Sequence, residues 1–147
     1  MKKITLKIVT PERIVLEEEV YQITLPIEGG EVTILPEHIP YIGSLRAGEM
    51  TLRKESGSDV MMLSTSGGFV EFHGNVLIIL ADTAERAEEI DLQRAEDART
   101  RAEELMKKIS NVSDEEYART AALLEKELTR VRVARKHHTK RSLHIER

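Results

Sequence analysis

The chain has 147 residues, with 22 Lys and Arg against 26 Asp and Glu, a formal charge of −4, and 40% apolar and 33% charged residues. That length fits one domain or one domain plus a small appendage, and the composition belongs to a soluble globular chain rather than a disordered one. With no cysteine present, disulfides, thiol catalysis, iron–sulfur ligation and cysteine-type zinc sites are excluded, and the mild acidity argues against a general nucleic-acid binder.

Met1-Lys2-Lys3 leads straight into the alternating Ile4, Leu6 and Ile8, with no apolar stretch of the kind a secretory signal needs. Runs such as Val76 to Ala81 are far too short to span a bilayer. A cytosolic chain is expected. From Lys3 to about Asp82 the apolar residues alternate, the period of a half-buried strand. Further strand candidates are Val20–Leu25, Glu31–Leu35, Met50–Arg53, Val60–Leu63, Gly68–Phe72 and Val76–Leu80. Turn signals separate them at Pro11-Glu12, Gly29-Gly30, Pro36, Ala47-Gly48, Ser56-Gly57-Ser58 and His73-Gly74-Asn75. Short, closely spaced strands with no helix between them predict an antiparallel β-sandwich or barrel over residues 1–84.

After Ala84 no glycine or proline occurs and the period changes. Ala95, Ala98, Ala102, Leu105 and Ile109 step by three and four, the seam of a packed helix, with Asp91 as its N-cap. Ser113-Asp114-Glu115-Glu116 reads as a capping box, and Val112 and Tyr117 occupy the two positions of a hydrophobic staple. A second seam follows at Tyr117, Ala121, Leu124, Leu128 and Val131. Residues 85–147 are therefore expected to form an antiparallel two-helix hairpin. Three of the five residues in the first seam are alanines, and at roughly 0.8 kcal/mol per buried CH₂ they contribute little. Such a hairpin is marginal alone and has to dock on the sandwich, a ligand or a partner.

Charge is unevenly spread. Residues 130–147 hold Arg130, Arg132, Arg135, Lys136, Lys140, Arg141 and Arg147 against the single acid Glu146, a net of +6, so the preceding part carries −10. The basic end is expected to meet an acidic surface, on this chain or on a partner.

Enzyme motifs are missing: there is no Walker-type loop, no Gly-x-Ser-x-Gly and no His-Glu-x-x-His. Ser66-Gly67-Gly68 precedes a strand pattern rather than a helix and reads as a tight turn between strands. His137 and His138 face about 100° apart on a helix, poor geometry for one metal, and belong to the basic tail. His38 reads as a surface-loop residue. Asp91 and Arg94 stand three apart on a first helical turn. Spacing leaves two readings open, a plain surface pair or an anion or nucleotide site built on Arg94.

In order along the chain stand Glu31-Val32-Thr33-Ile34-Leu35-Pro36-Glu37-His38-Ile39-Pro40, Gly67-Gly68-Phe69-Val70-Glu71, Val76–Ala84 and Ile90-Asp91-Leu92-Gln93-Arg94-Ala95. This series resembles the epsilon-subunit family of bacterial F-type ATP synthases, over about residues 3–134. The resemblance implies a flattened ten-stranded sandwich that binds the gamma subunit and rests on the c-ring. It also implies a two-helix domain that folds on the sandwich or extends along gamma into the alpha/beta catalytic head, where it blocks ATP hydrolysis. The subunit would be non-catalytic, a rotor component peripheral to the cytoplasmic face of the cell membrane and attached only through the complex, with no nucleic-acid role. No cofactor or metal is implied; ATP is a candidate regulatory ligand held by the folded hairpin. Ile90, Asp91, Arg94 and Ala95 match the motif that does this in relatives, and Glu85, Arg101 and Arg130 fall where those relatives place polar ligands. Lys126 occupies the remaining arginine position and supplies a point charge rather than a fork. The resemblance likewise assigns Glu31 and His38 to the sandwich's partner interface, and Arg132, Arg135 and Lys136 to the face that meets an acidic loop of the catalytic beta subunit. Glu37 stands where the family commonly has glycine, and the chain runs past the usual end through residues 136–147. Two other function classes compete: a nucleotide-sensing regulator, and an adaptor binding RNA or anionic lipid through its basic tail.

Overall fold

In a computed structural model that describes residues 1–145, the strands are β1 (Ile4–Val9), β2 (Ile14–Val20), β3 (Gln22–Ile27), β4 (Gly30–Ile34), β5 (Tyr41–Arg53), β6 (Met61–His73), β7 (Val76–Ala81) and β8 (Ala84–Arg86). A 3₁₀ turn (Ala87–Glu89) leads to helices α1 (Leu92–Lys108) and α2 (Asp114–Ile145). Glu146 and Arg147, the last two residues of the basic tail, lie outside the described residues.

The strands join in the order β2-β1-β7-β6-β5-β3-β4, with β8 pairing to β6. β5 and β6, each 13 residues long, form the spine and pair from Tyr41–Phe72 to Leu52–Met61. β7 pairs with the Gly68–His73 end of β6. β3 pairs with the Thr51–Arg53 end of β5, at the opposite end of the ribbon. The sheet thus closes over one core, in which Ile4, Leu6, Ile8, Ile23, Leu25, Met50, Leu63, Phe72, Leu77 and Ile79 are fully or almost fully buried. Burying these side chains, at roughly 1.5–3 kcal/mol each, is what holds the sandwich.

The expectation of a purely antiparallel sandwich needs one correction, because β1 and β7 pair in parallel from Thr5–Val76 to Val9–Leu80. Alternation along a strand fixes its faces, not the direction of its neighbour. The turns expected at Ala47-Gly48 and Ser66-Gly67-Gly68 also fail, since both lie inside the long strands. The expected strands Val60–Leu63 and Gly68–Phe72 merge into β6, Met50–Arg53 extends back to Tyr41 as β5, and eight strands stand among the described residues instead of the ten that the resemblance implies. The glycines serve close approach rather than reversal. A Cβ on Gly68 (φ +146°) would lie 2.1 Å from the Leu80 carbonyl oxygen, and one on Gly48 would lie 2.9 Å from Pro26 Cβ. By contrast, Gly74 and Asn75, at φ 57° and 62°, make the left-handed two-residue turn that joins β6 to β7.

Asp91 caps α1 as expected, its Oδ1 accepting from the Arg94 amide at 3.0 Å. Ser113 Oγ accepts from the Glu116 amide at 3.3 Å, one half of the expected box. Val112 and Tyr117 stay exposed, so the staple buries nothing. The seams are tight only near the sandwich: Ala95, Ala102 and Val131 are buried, whereas Leu105, Tyr117 and Leu128 are exposed. A second core of Met62, Ala87, Ile90, Ala95, Val131, Val133 and Ala134 docks the hairpin on the sheet. Its alanines and valines bury little area, as the seam composition foretold.

Candidate functional site

The junction between sandwich and hairpin is organised by one arginine. β8 carries Glu85 on the sheet, and α2 carries Glu127 and Arg130 one turn apart. Arg130 Nε lies 2.9 Å from Glu85 Oε1, and its Nη2 donates to Glu85 Oε2 at 3.3 Å. Its Nη1 donates to Glu127 Oε2 at 2.8 Å, with the Glu127 side chain only 6% exposed. Burial by itself would lower the guanidinium's pKa. The Glu127 hydrogen bond and the charges of Glu85 and Glu127 outweigh burial and raise it. Arg130 is therefore a permanent cation clamped between two carboxylates.

Around this clamp, Ile90 and Ala95 are buried in the docking core, and Asp91 is spent on the helix cap. Arg94 and Arg101 project from the exposed side of α1, and Lys126 is half-buried on α2. None of the three makes an ion pair among the described residues. The closed hairpin thus brings Glu85, Ile90, Ala95 and Arg130 to one junction and leaves Arg94, Arg101 and Lys126 as cations on its helices.

The basic end of α2 meets acids of its own chain. Arg135 Nη2 donates to Glu96 Oε1 at 2.6 Å across the hairpin, and Lys136 Nζ donates to Glu49 Oε2 on β5 at 2.7 Å. Arg132 is exposed and has no such partner among the described residues. Glu49, Glu96 and Glu127 were not singled out in the sequence, where nothing distinguishes them from the other acids. The i, i+3 spacing of Glu127 and Arg130 was the one available signal.

Glu31 is exposed on β4 opposite Pro26. His38 is half-buried, edge-on to Phe72 at 5.9 Å and to Tyr41 at 6.4 Å, with Nδ1 2.8 Å from the Ile39 carbonyl oxygen. Glu37 beside it sits at φ 66°, its amide donating to Asn75 Oδ1 at 2.6 Å. On the outer face of β5, β6 and β7, register sets Glu71 between Ile42 and Ile78, and Phe69 beside Leu80. Ile42 and Phe69 are 80% and 65% exposed there, an apolar patch around Glu71 with no cover among the described residues.

The chain is thus a β-sandwich tied by the Arg130–Glu85 and Lys136–Glu49 ion pairs to a two-helix C-terminal unit. The beta-sandwich domain of the ATP synthase delta/epsilon chain matches residues 3–87, and the long alpha-helix domain of the same chain matches residues 88–135. The chain belongs to the ATP synthase delta/epsilon chain family. It is 40% identical over 129 residues to the ATP synthase epsilon chain of Desulforamulus reducens, covering 88% of this chain and 95% of that one. To the epsilon chain of Herpetosiphon aurantiacus it is 46% identical over 132 residues, covering 90% and 94%. In solved structures, a chain of the Euglena gracilis mitochondrial ATP synthase (OSCP/F1/c-ring) shares the fold at TM-score 0.71 and 23% identity, over 86% of this chain and 78% of that one. A chain of the Tetrahymena thermophila mitochondrial ATP synthase (central stalk/c-ring) does so at TM-score 0.60 and 17% identity, over 92% and 96%. The helical-domain match ends at residue 135, and α2 continues past it to Ile145.

Proposed function

We propose that the chain is a non-catalytic central-stalk subunit of a bacterial F-type ATP synthase, whose sandwich binds gamma and rests on the c-ring and whose hairpin restrains ATP hydrolysis. The observation that carries the restraint is the attachment of α2. Small side chains and the Arg130, Arg135 and Lys136 ion pairs hold the hairpin, while the sandwich has a separate and larger core. One body can release the other without unfolding it. The uncovered patch at Ile42, Phe69, Ile78 and Leu80 suits the apolar part of a gamma interface. No helix among the described residues is long and apolar enough to cross a membrane, in keeping with a subunit that reaches the membrane's cytoplasmic face through its complex.

ATP is the proposed regulatory ligand of the closed hairpin. Its phosphates would lie by the Arg130 fork, with Arg94, Arg101 and Lys126 as further cations, Glu85 as a polar contact and the base against Ile90 and Ala95. Asp91 orients the first turn through its cap. ATP favours closure only by binding the closed state better than the open one. Calorimetric titration of the chain with ATP, against Arg94→Ala and Arg130→Ala, tests the site: both variants should weaken binding, and ATP binding indifferent to both would refute it. An RNA or lipid adaptor is disfavoured, because Arg130, Arg135 and Lys136 are engaged by the chain's own acids.

A further inference from the structure

On the other flank of α2, a groove of about 690 Å³ opens where both helices meet the sheet, lined by Glu49 and Met62 from the strands, Arg99 from α1, and Leu128, Val131, Arg132, Arg135, Lys136, Thr139 and Lys140 from α2. Its wall carries five cations against one carboxylate. Glu49 is already held by Lys136, and Arg135 by Glu96. Arg132 and Lys140 make no ion pair among the described residues, and Arg99 has only the loose Glu103 pair at 3.7 Å. Arg99 supplies a second, independent sign. Its Nε is buried and donates to nothing among the described residues, while the nearest carboxylate oxygen, on Glu103, is 3.7 Å away. That distance is too long for a hydrogen bond, and a buried donor left without an acceptor costs about 1–3 kcal/mol.

We infer that this groove is a binding site for adjacent phosphate groups, an oligophosphate such as pyrophosphate or tripolyphosphate, whether free or as the chain of a nucleotide. Arg99 and Arg132 grip it from opposite helices and Lys140 closes its end. Guanidinium forks suit phosphate oxygens, and cations converging on a concavity suit a compact anion better than a flat protein surface. Neither Arg94 nor Arg130 lines the groove, so it is separate from the ATP site proposed above. Two strands and both helices build its wall, so it exists only while the hairpin is closed, and its ligand stabilises that state.

The test is calorimetric titration of the whole chain with tripolyphosphate and pyrophosphate at low salt. Binding of one equivalent is expected. In Arg94→Ala, which weakens the ATP site proposed above, one equivalent should still bind, and adding Arg99→Gln or Arg132→Gln should weaken that binding by roughly tenfold each. Arg132 is exposed, so its replacement leaves folding intact, checked by a thermal melt. Tripolyphosphate should also slow amide exchange along α2. A parallel ATP titration separates the sources: ATP binding weakened by Arg132→Gln assigns the groove to the nucleotide's chain, and ATP binding dependent on Arg94 alone assigns it to free oligophosphate. Absence of tripolyphosphate binding, or binding that survives both glutamine substitutions, overturns the site. Tighter binding of a hexaglutamate peptide than of tripolyphosphate overturns it in favour of an acidic protein surface.

Discussion

Arg130 of α2 grips Glu85 of β8 with two nitrogens, at 2.9 and 3.3 Å, and so fastens the hairpin to the last strand of the sandwich. Arg130→Ala strands Glu127, whose side chain is 6% exposed, without its cation. Removing one partner of a fully buried pair costs about 3–5 kcal/mol; this junction keeps some contact with water, and about 2 kcal/mol is expected. Because the sandwich core is separate, the loss should fall on the hairpin alone. Native-state hydrogen exchange is the measurement, with α2 amides exchanging roughly thirtyfold faster and β1, β6 and β7 unchanged.

The three basic residues of the outer helix face separate by their partners. Among the described residues Arg135 and Lys136 are paired in the closed form and Arg132 is not. Arg132→Glu should therefore weaken inhibition of ATP hydrolysis in the reassembled complex without altering the melting temperature of the free chain. Lys136→Glu also repels Glu49 and should lower that temperature. The Arg132→Glu effect on hydrolysis should shrink at high salt.

Glu37 occupies a left-handed backbone position, φ 66°, where an L residue with a Cβ is strained by roughly 1 kcal/mol and glycine is not. Its pairing with Lys2 is on the surface and contributes little. Thermal melts should find Glu37→Gly at or slightly above the natural chain. Glu37→Val, with a branched side chain, should fall about 1–2 kcal/mol below it.

Burial pushes the Glu89 carboxyl upward, but the Arg13 hydrogen bond at 3.0 Å and charge, with the Arg86 amide and charge, outweigh it and hold the pKa below the ordinary 4.5. A carboxylate depressed in the folded state contributes stability above its unfolded pKa and loses it as pH falls through the folded value. The window is therefore below about pH 4.5. Melting temperature followed downward from neutral pH should drop less steeply for Glu89→Gln than for the natural chain.

What the sequence disclosed followed from period. Ile4, Leu6 and Ile8, or Leu77 and Ile79, mark their strands because every second side chain is buried. β2 escaped notice because Glu17, Glu18 and Glu19 interrupt its alternation, and β8 because three residues show no period. Gly48 and Gly68 looked like reversals, since a glycine required for close approach has the same composition signal as one required for a turn. On α2 the seam toward α1 was visible, whereas Val133 and Ala134 face the sheet and follow no seam. Arg130 was singled out from the resemblance. Its partner Glu127 looks like any exposed helix acid until the fold buries it.

The central claim is that a closed hairpin is the released state and an open one the inhibited state. ATP hydrolysis by the complex reassembled with three forms of this chain tests it most directly: the full chain, a truncation after Ile90 that keeps β8 and the 3₁₀ turn, and Arg130→Ala. The truncation should raise hydrolysis above the full chain, because nothing remains to enter the catalytic head. Arg130→Ala should lower it, because the freed hairpin opens more often. Two changes at one junction would then act in opposite directions. Equal rates for all three forms, or a rise with Arg130→Ala as large as with the truncation, would contradict the account.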